Sequence, residues 1–210
     1  MLRMLIPAAR AALAMFVLCG LLYPLALTGL GQALLPFQAN GSMERCADGI
    51  IGSRLIGEHW QGPQWFHGRP SATIATDPND PDKTMPAPYN AANSAGSNLG
   101  PTSRSLKERL MADRRTLEIA QPELVGKALP ADMLTASASG LDPDISPSNA
   151  SLQAVRVAQA RGLPAAQLEA LVREHVTGRS LGLFGEPRVN VLILNLALQE
   201  ACTPVASSRN

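Results

Sequence analysis

Between Ala11 and Met43 the chain carries no charged side chain, although charges lie on both sides of that stretch. At about 1.5 Å per helical residue, roughly 20 apolar residues cross the hydrocarbon core of a bilayer, and Ala11 to Leu30 supplies them. Arg3 and Arg10 precede the stretch, and the first charges after it are Glu44 and Arg45. The cationic flank is the short N-terminal one, which predicts Met1 in the cytoplasm and everything after Met43 outside it. A cleaved signal peptide shares the basic start but has a shorter apolar core closed by a small-residue site. Here the apolar run continues through Pro24 to Pro36, and Leu18 precedes Cys19 where a lipoprotein acceptor needs a small residue. The reading is a cytoplasmic segment 1–10, a retained transmembrane helix 11–33 and a linker 34–42. Ala8, Ala11, Ala12, Ala14 and Gly20 give the helix small-residue faces that another helix could approach closely; the alternative is a lone tether facing lipid.

Residues 43–203, followed by a tail 204–210, are enough for one domain with its own core. Of 18 basic residues two precede the anchor, leaving 16 against 17 acidic ones, and this near-neutral balance argues against nucleic acid as a partner. Cys46 and Cys202 lie outside the anchor, where an oxidising compartment would permit a bridge. Nothing in the sequence requires one, and the polar tail around Cys202 points to unpaired thiols.

From Ser42 to Pro63, short apolar runs broken by glycines predict one or two strands, with Ile50, Ile51, Leu55 and Ile56 in the core. Trp65 and Phe66 are expected to be buried, before an extended segment from Arg69-Pro70. Thr76 to Pro88 reads as an exposed loop. Its DPNDPD acids lack the glycine and terminal glutamate of an EF-hand calcium loop. Ser103 to Ala120 predicts an amphipathic helix carrying Leu106, Leu110, Met111 and Leu117. Met133 to Pro147 reads as a rigid loop. Ser148 or Asn149 should cap a helix over Ala150–Arg161, with Leu152, Val155 and Ala158 inward and Gly162 ending it. A second helix starts near Pro164, puts Leu168, Leu171, Val172 and His175 inside, and closes at Gly178. Leu183 to Glu200 is almost wholly apolar, and its length favours a helix. The fold class is a single N-terminal transmembrane helix plus one mixed α/β (α+β) extracytoplasmic domain.

Catalytic sets are sparse. His59, His67 and His175 lack the spacing of a zinc motif. Ser137 or Ser139 with Asp142 and a histidine could be imagined as a hydrolase triad, yet the G-x-S-x-G elbow is absent. Tyr89 to Pro101 is rich in asparagine, serine and glycine, but neither Gly52 to Gly57 nor Gly96 to Gly100 is followed by the Lys-Ser/Thr of a phosphate-binding loop. Asn and Ser side chains in such segments commonly serve their own backbone. Asp142 and Asp144, set among prolines, either attract cations near a pore mouth or cap the following turn and helix.

GSRLIG at Gly52, WFHGRPSA ending at Ala72, YN at Tyr89, SAGSNLGP at Ser94, LTASASGLDPDISP at Leu134, RVAQARGL at Arg156 and LFGEPRVNVLILNLAL at Leu183 form an ordered set, joined by YPLALTGLGQ in the anchor. Together they resemble the C subunit (KdpC) family of the high-affinity potassium-transporting Kdp ATPases. Ala95 and Ala138 stand where that pattern has glycine, and Asp144 where it commonly has histidine. The resemblance implies a non-catalytic subunit that joins a potassium-channel-like subunit, an ATP-hydrolysing P-type subunit and a small helix subunit. It would stabilise that assembly in the cell inner membrane and raise the ATPase subunit's affinity for ATP, with no intrinsic cofactor. By the same analogy Ser94, Gly96, Ser97, Asn98, Gly100, Ser137, Ser139, Asp142, Gln153 and Arg156 become candidate partner or nucleotide contacts. The charge-based topology places all of them outside, so an effect on ATP has to be indirect. A periplasmic cation-binding or pore-covering module using Asp142 and Asp144, and an independent periplasmic hydrolase, are the competing classes.

Overall fold

The computed structural model describes residues 2–46 and 49–199 and divides into two units, Met1–Met43 and Glu44–Asn210. In the first, helix α1 (Leu2–Val17) runs through a π-helical turn (Leu18–Leu22) into α2 (Tyr23–Leu34). Residues Arg3–Leu34 are long and apolar enough to cross a membrane. The helix starts well before the charge-free stretch because nothing in LRMLIPAAR stops it: Pro7 falls within the first two turns. The wider turn comes just before Pro24, whose ring displaces a carbonyl of the preceding turn, and Tyr23 N–H closes it on Leu18 O. A Cβ at Gly20 would meet only the Phe16 ring at 3.7 Å, so the helix itself does not demand glycine there. The expected linker holds a short helix α3 (Pro36–Ala39), tied back by Asn40 Nδ2 donating to Gln32 Oε1 at 3.1 Å.

The second unit is a mixed helix and sheet domain. Strands β1 (Met43–Cys46) and β2 (Gly49–Ser53) form a ribbon, and β3 (Ile74–Asp77) and β4 (Asp80–Pro86) form another. Helix α4 (Arg104–Ala120) follows, capped by Ser103. A third sheet takes β5 (Asp144–Ile145), β6 (Val176–Thr177) and β7 (Arg188–Asn190) in the order β5-β7-β6, all antiparallel. Against it pack α5 (Pro147–Arg161), α6 (Ala165–Glu174) and α7 (Val191–Ala197). The core is Phe66, Ile145, Ala150, Ala154, Val157, Ala158, Leu168, Val172, Val189, Val191 and Leu194.

Several expectations are corrected. Ile50 and Leu55 are 55% and 62% exposed, and Ile51 and Ile56 are not buried, because their two-stranded ribbon stands outside the three-stranded core sheet. Thr76 to Pro88 is mostly a hairpin: Pro81 and Pro86 are tolerated since each strand of a two-stranded ribbon has a free edge. Its acids serve their own turns, Asp77 Oδ1 accepting from Asn79 N–H and Asp80 Oδ1 from Asp82 N–H. Trp65 is half-buried, with the Arg161 guanidinium 4.5 Å from its ring centre. The cap of α5 is Ser146, not Ser148 or Asn149, since Pro147 occupies the first helical turn. The inward face of α5 is Ala150, Ala154, Val157 and Ala158, while Leu152 and Val155 are only half-buried. α6 ends at His175, whose Nδ1 lies 2.8 Å from Leu171 O, and β6 intervenes before Gly178. Leu183 to Glu200 is not one helix: Leu183 and Phe184 are exposed, β7 follows Pro187, and Asn190 caps a short α7 by accepting from Ile193 N–H. Cys46 is disulfide-bonded, which corrects the free-thiol reading for that residue; Cys202 and the 204–210 tail lie outside the described residues.

Candidate functional site

One extended segment, Phe66 to Thr73, runs through all the sequence motifs of the domain. At its start Phe66 is fully buried, and Asn195 holds its backbone from both sides, Oδ1 accepting from Phe66 N–H and Nδ2 donating to Phe66 O, both at 2.9 Å. Gln153 does the same for His67, at 2.8 Å and 2.9 Å. Two side-chain amides from α5 and α7 thus replace the neighbouring strand that this segment lacks. Arg156 donates to Gln153 Oε1 at 2.9 Å, to Pro63 O at 2.6 Å and to Trp65 O at 3.0 Å. Both candidate contacts are buried and occupied by the protein itself, so meeting a ligand would require these bonds to open.

Further along, Arg69 Nη1 pairs with Asp142 at 3.0 Å. Ser71 Oγ donates to Gly140 O at 2.7 Å and accepts from Tyr89 N–H at 3.0 Å, and Thr73 Oγ1 donates to Ala87 O at 2.6 Å. Tyr89 sits at φ +61° and its hydroxyl donates to Arg69 O at 2.7 Å. Its ring occupies the space that side chains at Gly57 and Gly68 would fill. Burial, then the Asp142 charge, pushes the Tyr89 phenol up to about 12, with Arg69 opposing. The asparagines nearby serve the backbone, Asn90 and Asn93 both donating to Ile74 O.

The glycine-rich loop meets the serine-rich loop directly. Ala95 N–H donates to Ser139 O and so does Ser94 Oγ, each at 3.0 Å. A Cβ at Gly96 would lie 2.7 Å from Ala138 O, and one at Gly140 2.6 Å from Ala95 O, so these glycines permit two backbones to cross in contact. Ser137 is buried in this crossing; Ser139 is exposed and its Oγ takes the Leu141 N–H. Ser97 is half-buried, Asn98 is exposed at φ +51°, and Gly100 has open space around it. The crossing gathers Ser94, Gly96, Ser137, Ser139 and, through Arg69, Asp142. Gln153 and Arg156 belong to the clasp further up the segment.

Asp142 Oδ1 caps its own turn by accepting from Asp144 N–H, and Asp144 pairs with Arg188 at 3.0 Å. Burial raises the Asp144 carboxyl above the ordinary range, Arg188 opposes this, and the Asp142 charge adds to it. Burial lowers the His67 imidazole, with the Arg156 charge acting the same way, and His67 Nε2 lies 2.8 Å from Gly62 O. His59 stacks on Tyr89. These partners take up the groups a serine–histidine pair would need, and no cluster of potential metal ligands occurs among the described residues.

Sequence reasoning did not single out Asn195, Arg69 or Tyr89. Asn195 had a signal, since an amide inside the apolar run VLILNLAL must find partners when buried.

Residues 5–200, anchor and domain together, match the KdpC family, described as the K+-transporting ATPase c chain. The chain is 55% identical over 200 residues to the potassium-transporting ATPase KdpC subunit of Methylobacterium nodulans, covering 95% of this chain and 98% of that one. It is 54% identical to the protein of the same name from Bradyrhizobium diazoefficiens and 52% to that from Rhodopseudomonas palustris, each over 201 residues, 96% of this chain and 98% of the relative. With the match running from the anchor through the amide clasp and the glycine crossing, the chain belongs to the KdpC family of potassium-transporting ATPase subunits.

Proposed function

We propose that this chain is a non-catalytic accessory subunit of an ATP-driven potassium uptake complex. It is anchored once in the inner membrane with its N-terminus cytoplasmic and its domain outside. The observation that carries this is the family match over residues 5–200, which covers anchor and domain as one piece. Arg3 and Arg10 before the apolar span support the orientation, as does the disulfide at Cys46, since such bonds persist in oxidising compartments. Its partners are the potassium-conducting, ATP-hydrolysing and small helical subunits. It stabilises their assembly, and its effect on ATP reaches the ATPase subunit as a coupling free energy. Such couplings are about 1–3 kcal/mol, so removing the subunit should weaken apparent ATP affinity roughly 5- to 150-fold. A cation-attracting role for Asp142 and Asp144 has less support, because each carboxylate faces an arginine at 3.0 Å.

Two measurements test the reading. In intact spheroplasts, after mild reduction, a membrane-impermeant thiol reagent should label the chain at Cys46 but leave Cys19 unmodified. Labelling only after lysis would put the domain in the cytoplasm. Calorimetric titration of the fragment beginning at Glu44 with ATP should show no saturable binding. Saturable binding removed by Gln153→Ala, with the melting curve unchanged, would overturn the indirect route.

A further inference from the structure

The loop between β6 and β7 has the opposite build to the rest of the domain. Leu181, Leu183 and Phe184 are 88%, 74% and 65% exposed. Yet the loop is pinned: Ser180 N–H donates to Phe184 O at 2.8 Å and Phe184 N–H to Ser180 O at 2.9 Å. Outside that bridge Arg179 Nη2 holds both carboxylate oxygens of Glu186, at 2.9 Å and 2.7 Å. Leu181 at φ +55° and Gly182 at φ +74° make the tight reversal that thrusts the apolar side chains outward. A leucine in that conformation is costly, and its outward position is held by the loop and not by burial. Three large apolar groups on a rigid tip lose little conformational freedom on docking, which is the property of an interface anchor.

Building on the proposed function, we propose that this tip is a plug that seats in an apolar recess on the extracytoplasmic face of a partner subunit. Charge favours protein over lipid as the occupant. A surface that binds anionic headgroups needs free cations beside its apolar wedge, and here Arg179 is committed to Glu186 and Arg188 to Asp144. Size disfavours a second copy, since a stable dimer buries about 800 Å² per partner and three side chains offer well under that.

The test uses the full-length chain expressed with the other transport subunits. Leu183→Ser combined with Phe184→Ser removes apolar groups that no core residue covers. Recovery of the partner subunits with the chain should fall at least about tenfold, while the chain's membrane level and melting temperature stay unchanged. In parallel, p-benzoylphenylalanine at position 184 should photo-crosslink to a partner subunit in native membranes. Unchanged recovery, or crosslinks only to lipid or to a second copy, would refute the plug while the unaltered chain still co-purifies. Failure of the unaltered chain to co-purify would instead remove the subunit reading, and the plug with it.

Discussion

Asn195→Leu should destabilise the domain by about 4 kcal/mol, although leucine is similar in size and sits in an apolar surround. The substitution strips partners from both Phe66 N–H and Phe66 O, and each buried unsatisfied group costs about 1–3 kcal/mol. Water cannot substitute, because Asn195 and Phe66 are both fully buried. For a domain of this size that corresponds to a fall of roughly 10 °C in melting temperature. Trp60 and Trp65 lie 5.0 Å apart at the edge of the same segment, so their fluorescence reports its release during denaturant titration of the full chain. A loss below about 1 kcal/mol would mean that the clasp contributes no more than an ordinary hydrogen bond.

The second large effect is expected at Gly140. Gly140→Ala forces a side chain into φ +69°, at a cost of about 1–2 kcal/mol. It also places Cβ 2.5 Å from Thr73 Cγ2 and 2.6 Å from Ala95 O, and such overpacking typically adds about 1–3 kcal/mol. A total near 3 kcal/mol is expected from thermal or denaturant unfolding. Gly100→Ala is the contrast, having open space around it, and should cost less than about 1 kcal/mol. Were the glycine-rich loop a cradle for an anion, Gly100 would matter to ligand affinity as much as Gly96 does. Equal unfolding costs at Gly140 and Gly100 would refute the loop-crossing account.

What the sequence disclosed depended on how local the cause was. The anchor, the Ser103 cap of α4 and the left-handed Gly162 at the end of α5 are set within a few residues, and each was legible. The β3–β4 hairpin was hidden because its aspartates and prolines satisfy loop chemistry and hairpin-turn chemistry alike. In the last motif an unbroken apolar run concealed two opposite fates: Leu183 and Phe184 face outward, whereas Val189 to Leu196 includes much of the core. Only Pro187 and Asn190 mark the divide, and hydropathy does not register them. The glycine-rich and serine-rich loops were recognisable as motifs, but Ser94 and Ser139 meet across a separation of 45 residues. No local pattern says that a glycine is there to let a distant backbone pass. Gln153 invited a ligand-contact reading for the same reason, since its actual partner, the His67 backbone, has no side-chain signature.

The π-helical turn at Leu18–Leu22 changes the azimuth of the anchor. One additional residue in a turn rotates everything beyond it by about 100° relative to an uninterrupted helix. A stripe that starts at Ala8 and Ala12 therefore does not continue straight down the rod past Pro24; the half from Tyr23 to Leu34 is turned toward a different compass bearing. A neighbouring helix that packs along the first half diverges from the second, leaving that half to face something else. A single-pass segment phased in this way is shaped to stand at the corner between two neighbours instead of lying along the flank of one.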